Sequence, residues 1–374
     1  MKHDSSNHFV FAALLIAASS TSDAASPQGI DTSSLPGSAI AFGRSASNPD
    51  HTLRSASIFL TNPAGSAVRQ LTPKVDGVYD FGASWSPHGT RIVFERGSAR
   101  SDPHDRYDIY AMGREGQEVH QLTSGVGNFE RPEWGPRGQI AFRSRYVDRD
   151  CVSVVDWNGL HQHDVFCPGH RGTEIDGITW SPDGRSLYAS GGFYAGSPDL
   201  YWNALAYRVD LDTGVITLLT SQVMDDPMYL TFAPDGRYGL YAPPGYSNIH
   251  PITRVNFATD ILTPLEYGHG PVFSEDGSKV AYAQGAPDYL VYDQIFVMNA
   301  DGTGVRQLTH SHVENIAYTA VDWSRDGRRL LVNRAIFVDT GGLLVGTTDM
   351  RILDTDTGAL KSLPGGVGTS WFEP

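Results

Sequence analysis

Cysteine is almost missing from this chain: two residues, Cys151 and Cys167, in 374. With no Cys-x-x-Cys pair, there is no thiolate framework for a structural zinc ion. Basic residues are scarce as well. The 28 Lys+Arg face 42 Asp+Glu, for a formal charge of -14. Such a balance argues against a nucleic-acid or anionic-membrane partner, which net negative charge repels. Long apolar runs are also lacking. The longest, residues 9–18, falls well short of the roughly 20 residues that a membrane-spanning helix needs. Helical periodicity is scarce, and neither a Gly-x-Ser-x-Gly elbow nor a phosphate loop occurs.

What is present suits a folded chain. Hydrophobic residues make up 40%, enough to fill a core, and 40 Gly with 22 Pro punctuate the sequence densely. Lys2 and His3 precede the apolar run, and a small-residue stretch ending Ser22-Asp23-Ala24 follows it. This pattern predicts a secretory signal peptide over 1–24, a short leader over 25–37, and one folded domain over 38–374. The expected location is exported, either periplasmic or secreted, without membrane insertion. Between the cysteines lies the turn signal Asn158-Gly159, flanked by strand-like segments. A hairpin closed there places the thiols nearly opposite each other. In an oxidising compartment they form a cross-strand disulfide; two buried free thiols are the alternative.

A repeat runs through the whole domain. Trp85-Ser-Pro-His-Gly, Trp134-Gly-Pro-Arg-Gly, Trp180-Ser-Pro-Asp-Gly, Phe232-Ala-Pro-Asp-Gly, Phe273-Ser-Glu-Asp-Gly and Trp323-Ser-Arg-Asp-Gly share one template, and Trp371 begins a seventh copy. Their spacings are 49, 46, 52, 41, 50 and 48 residues. After each turn comes a short apolar strand, such as Arg91-Ile-Val-Phe-Glu95 or Gln139-Ile-Ala-Phe142. A hairpin follows, and many units close on Arg69-Gln-Leu-Thr72, His120-Gln-Leu-Thr123 or Arg306-Gln-Leu-Thr309. Four strands per unit of about 48 residues is the arithmetic of a β-propeller blade. Three orphan strands near residues 39, 56 and 68 complete the blade that Trp371 begins. The expectation is an all-β, seven-bladed β-propeller of four-stranded blades, the last closed by one C-terminal and three N-terminal strands. Six blades with a frayed extension is the alternative.

Trp180-Ser-Pro-Asp-Gly-Arg, Ile295-Phe-Val-Met-Asn-Ala-Asp-Gly and Arg306-Gln-Leu-Thr resemble the WD40-like (PD40) repeats of TolB-like propellers. The resemblance spans the domain and implies the fold; it implies little about function, since such blades serve binding proteins, peptidase gating domains and lyases alike. TolB itself carries an α/β domain ahead of its ring, and about 13 residues lie between Ala24 and the first strand here.

Loops joining one unit to the next share a face with those between second and third strands: 44–55, 96–106, 143–150, 190–201, 243–248, 284–292 and 334–346. Arginines concentrate there early in the chain, Arg96, Arg143 and Arg145 among them, and aromatics such as Tyr194 and Tyr246 later. Guanidinium groups suit carboxylate or phosphate capture, and aromatic rings suit sugars or peptides; interleaved aspartates make local ion pairing the competing reading. Residues entering each innermost strand are expected to ring a channel mouth: Asp80, Arg131, Asp176, Tyr229, His269, Tyr318 and Thr369. The expected function is an exported, non-enzymatic binding propeller, similar to the TolB propeller. It would be a monomer without cofactor, holding a protein, peptide or glycan, an anionic one included. The alternative is a metal-assisted lyase or hydrolase on an acidic saccharide. Gln307, His310 and His312 resemble the Gln/His metal site of seven-bladed oligogalacturonate lyases. Gln307, however, also belongs to a strand ending repeated at Gln70 and Gln121. His161 and His163 are expected on one exposed strand face, and Asp354-Thr-Asp-Thr-Gly358 as a hairpin turn rather than a calcium loop.

Overall fold

The computed structural model describes residues 37–47, 53–98, 106–169, 173–194, 202–224, 229–242, 251–285, 293–311, 316–339 and 344–374. The expected signal segment, Tyr246 and His312 lie outside them, as do the side chains of Tyr194 and Tyr229. Every regular element among the described residues is a β-strand.

The chain opens with β1 (Ala39–Ser47), β2 (Leu53–Thr61) and β3 (Val68–Gln70). Next come β4 (Val78–Trp85), β5 (Arg91–Ser98), β6 (Arg106–Gly113) and β7 (His120–Gln121). Four strands then make a separate sheet: β8 (Asn128–Trp134), β9 (Gln139–Arg145), β10 (Asp150–Asp156) and β11 (His163–Phe166). A further sheet holds β12 (Glu174–Trp180), β13 (Ser186–Tyr194), β14 (Trp202–Asp210) and β15 (Ile216–Met224). It is followed by β16 (Tyr229–Phe232), β17 (Tyr238–Ala242), β18 (Pro251–Asn256) and β19 (Ile261–Tyr267). The next comprises β20 (His269–Phe273), β21 (Lys279–Gln284), β22 (Gln294–Asn299) and β23 (Arg306–Gln307). Finally come β24 (Ile316–Trp323), β25 (Arg329–Asp339), β26 (Leu344–Asp354) and β27 (Leu360–Ser362).

The last strand, β28 (Val367–Phe372), pairs antiparallel with β1, setting Trp371 opposite Ile40. With β2 and β3 these strands form one half of an eight-stranded sheet; β4 to β7 form the other. Among the described residues, the ladder passes from one half to the other at the single parallel bridge Ala56–Tyr79. Successive first strands pack on one another: β28 on β4, β4 on β8, β8 on β12, β12 on β16, β20 on β24 and β24 on β28.

Sheets packed on both faces explain the sequence pattern. Second strands carry unbroken apolar runs instead of alternation: Ile92-Val93-Phe94, Ile140-Ala141-Phe142 and Leu330-Leu331-Val332 are all completely buried. The repeated motifs have definite jobs. In the template turns after Trp180 and Trp323, the Ser181 and Ser324 hydroxyls accept the amides of Ser186 and Arg329 at 2.9 Å each. In the Gln-Leu-Thr endings, Thr72, Thr123 and Thr309 accept the amides of Ile58, Ile109 and Ile295 at 2.9–3.0 Å. The Asp354 side chain accepts from Thr357 N and Oγ1 at 2.8 and 2.7 Å, as Asp210 does from Thr213, so this segment is a hairpin turn as expected.

The hairpin between β10 and β11 closes at Gly159, and Cys151 and Cys167 form a disulfide with Cα atoms 4.2 Å apart. His163 begins β11, but His161 precedes that strand with φ +57, so the two do not share a strand face. Its Nδ1 instead lies 2.7 Å from the Asp156 carboxylate, and that local bond favours the turn conformation.

Candidate functional site

β5 and β9 run longer than their apolar segments suggest, reaching Ser98 and Arg145. Arg96, Arg143 and Arg145 are therefore strand residues, not loop residues. Each is paired within its own sheet. Asp80, completely buried, takes Arg96 in a bidentate grip at 2.7 and 2.9 Å, and the guanidinium lies over the Tyr110 ring at 4.8 Å. Arg143 is only 1% exposed; it pairs with Glu130, lies 3.8 Å from Asp150 and donates to the Ile175 carbonyl at 2.8 Å. Arg145 lies 3.6 Å from Asp150. This local ion pairing corrects the expectation of arginines presented for anion capture.

Bulges shape the inner strands. The ladder slips between Phe81 and Ser84, Glu130 and Glu133, Ile175 and Gly177, His269 and Val272, and Ala320 and Asp322. A bulge re-aims side chains. Arg131 sits in one with φ +56. Its amide donates to Glu95 Oε1 at 2.5 Å, and its guanidinium donates to the Asp176 carbonyl. Arg131 thus links three successive units, and Glu95, Glu130, Arg131 and Asp176 lie within electrostatic reach of one another. His269, Tyr318 and Thr369, also expected at the mouth, make other contacts. His269 is 2% exposed, with Nε2 3.1 Å from Asp293, and Tyr318 packs in the core around Trp323. Tyr229 belongs to β16, and the Thr369 hydroxyl donates to the Ala41 carbonyl at 3.1 Å.

Electrostatics set this cluster apart. Burial pushes the Glu95 carboxyl up to about 7, against the Arg131 amide and with help from Glu130. Burial likewise pushes Asp176 up to about 7, with Arg131 opposing and Glu174 adding. Burial also works to raise Glu130, but Arg143 and Arg145 overcome it and hold that carboxyl below its ordinary range. At neutral pH, Glu95 and Asp176 are each poised to donate or accept a hydrogen bond, while Glu130 is an acceptor.

Two acids that the motif reading passed over lie farther along the inner strands, each directly before a template aromatic. Burial raises Glu133 to about 7; it raises Asp322 to about 6 against the amides of Trp371 and Trp323. Both keep some solvent-accessible surface although protein encloses them. A charged residue next to the repeated Trp was the available signal. Because the Glu133 carboxyl titrates higher in the folded chain than in the unfolded one, the folded state holds the extra proton. Stability from this group is therefore full below the unfolded value near 4.5 and is lost as pH rises toward 7. Glu133→Gln is expected to raise stability by on the order of 1–2 kcal/mol at pH 8 and to leave it unchanged near pH 4, by urea unfolding at both.

The metal alternative meets a direct obstacle. Gln307 Nε2 donates to the Thr309 carbonyl at 2.8 Å, as Gln70 does to Thr72 and Gln121 to Thr123. The amide is part of the repeat. His310 is exposed in the segment that follows.

No protein-family model matches the sequence. Among solved structures, the β-propeller domain of the Trilobed protease from Pyrococcus furiosus is similar at TM-score 0.54 and 12% identity, over 78% of this chain and 86% of that one. The fold is a β-propeller. An oligogalacturonate lyase from Vibrio parahaemolyticus is similar to this propeller at TM-score 0.59 and 14% identity, covering 88% of this chain and 86% of that one. TolB from Acinetobacter baumannii is similar at TM-score 0.49 and 16% identity, covering 89% and 82%. At these identities the likeness concerns the propeller alone.

Proposed function

We propose that the chain is an exported, non-enzymatic binding propeller whose inner-strand mouth holds a protein, peptide or glycan partner. One observation carries the reading: Arg131 ties three successive units together, its amide donating to the Glu95 carboxyl and its guanidinium to the Asp176 backbone carbonyl, with the Asp176 carboxyl in its electrostatic reach. Locked polar groups lose little freedom when a ligand arrives, which favours affinity. The mouth joins one guanidinium to several carboxyls, so the preferred partner presents hydrogen-bond donors, hydroxyls or cations rather than bare anionic charge. Seven four-stranded blades in a closed ring are the arrangement we infer. The pairing of β28 with β1 and the packing of first strand on first strand at six of the seven steps support it. The disulfide supports export, because such bonds persist in oxidising compartments.

The test is an array of peptides and of neutral and acidic oligosaccharides probed with the disulfide-intact protein. A ligand is expected whose affinity falls at least tenfold, about 1.4 kcal/mol, in Asp176→Asn and is unchanged in the exposed control Arg237→Ala. Turnover of that ligand, or equal binding by Asp176→Asn, Arg131→Ala and wild type, would overturn the reading. Export is checked by fractionation: the protein is expected outside the cytoplasm.

A further inference from the structure

The apolar runs of three strands end alike. β1 contains Ile40-Ala41-Phe42-Gly43-Arg44, β5 contains Ile92-Val93-Phe94-Glu95-Arg96 and β25 contains Leu330-Leu331-Val332-Asn333-Arg334. Antiparallel pairing sets Phe94 opposite Tyr110 and, in the same way, Phe42 opposite Phe59. The arginine two residues on then lies over both rings. Arg96 is 5.2 and 4.8 Å from the two centroids, and Arg44 is 5.2 and 4.7 Å from its own pair. The repeat therefore builds both guanidiniums into one setting.

They differ in the counter-charge. Asp80, opposite Arg96 on β4, accepts from Nε and Nη2 at 2.7 and 2.9 Å. Asp349, opposite Arg334 on β26, answers that arginine likewise. For Arg44 the register that sets Val367 opposite Gly43 brings Gly366 to the place that Asp80 holds. Gly366 has φ +147, and the Gly43 carbonyl oxygen lies 2.7 Å from where a Cβ would stand, so this position cannot carry a carboxylate. Among the described residues no carboxylate pairs with Arg44. Its Nε donates to the Gly365 carbonyl at 2.6 Å, and burial holds the guanidinium below its ordinary range with no acid opposing. A Cβ on Gly43 or on Gly365 would meet nothing within 4 Å, so open space adjoins both residues beside the guanidinium. A half-buried cation with terminal donors to spare favours an anion that brings two oxygens.

We propose that Arg44 binds a carboxylate group carried by a ligand, which takes the part that Asp80 plays for Arg96. The rings of Phe42 and Phe59 hold the guanidinium in place beforehand, so little side-chain freedom is lost on binding. The site shares no residue with the mouth of Glu95, Arg131 and Asp176, so it stands whether or not a ligand binds there.

Acetate is the probe, titrated at constant ionic strength into the full chain with isotope-labelled arginine, and the arginine Nε–Hε NMR signals are the readout. The Arg44 signal, identified by its loss in Arg44→Gln, is expected to shift and to saturate at acetate concentrations on the order of millimolar, with inorganic phosphate needing more. The signals of the paired Arg96 and the exposed Arg237 are expected to stay in place. Gly365→Asp sets an internal carboxylate beside the guanidinium, where a side chain has room, and is expected to weaken acetate binding at least tenfold. Should Arg44→Gln fail to fold, Gly365→Asp identifies the signal, because it moves that signal without acetate. An Arg44 signal that moves no more than that of Arg237, that prefers phosphate, or that responds to acetate equally in Gly365→Asp and wild type overturns the proposal.

Discussion

Arg143→Met is expected to destabilise the fold by about 3–5 kcal/mol at pH 7.5, the usual consequence of removing one partner from a buried ion pair. The methionine keeps the stem but not the charge. Glu130 and Asp150 are then left in a buried setting without their main cation, and the Ile175 carbonyl loses its donor. The pH dependence separates this from a simple packing defect. Arg143 and Arg145 hold Glu130 below its ordinary range, so the stability it contributes is present above the unfolded value near 4.5 and is lost as pH falls through the lower folded value. The deficit of Arg143→Met should therefore shrink in acid. Urea unfolding at pH 7.5 and pH 4 checks it, and an equal deficit at both would assign the loss to packing alone.

The second large effect concerns the end of the chain. Trp371 is 7% exposed, packs with Ile40, Phe42 and Leu331, and donates its amide to Asp322 at 2.9 Å. Beyond it, Glu373 accepts from Arg325 N at 2.8 Å and Arg329 Nη2 at 3.0 Å. Phe372 also covers Gly89, whose φ of +61 is the conformation that makes that turn use glycine. Trp371→Ala is expected to cost about 3–5 kcal/mol, as for large aromatics cut from a core. Deletion of 367–374 should be worse, because it strips β1 of its partner and exposes a new edge. No cooperative thermal transition is expected for the deletion. A melting curve like that of wild type would show that β28 is dispensable.

How much of this was legible beforehand depended on whether the signal was local. The template aromatics, the turn glycines and the Gln-Leu-Thr endings act within a few residues of themselves, so their spacing marked the strands. Cys151 and Cys167 were legible for the same reason, one hairpin apart. The arginines were not. Arg96 and Arg143 appeared to open loops, because an apolar run seemed to end before them; in the fold the strands continue, and Asp80 and Glu130 neutralise them inside. For Gln307 the repeat at Gln70 and Gln121 already offered the competing reading, and all three make the same backbone bond.

The sequence by itself determined the all-β architecture, the four-strand unit, the hairpin that brings the two cysteines together and the joining of the two chain ends, since each follows from short-range pattern repeated in register. Only the tertiary structure decided which charged residues come together. Glu95, Arg131 and Asp176 lie 36 and 45 residues apart in sequence, counting from one to the next. Their contact depends on bulges that rotate single residues, and on burial by neighbouring sheets that moves their proton affinities. Neither quantity is written in any one stretch of chain.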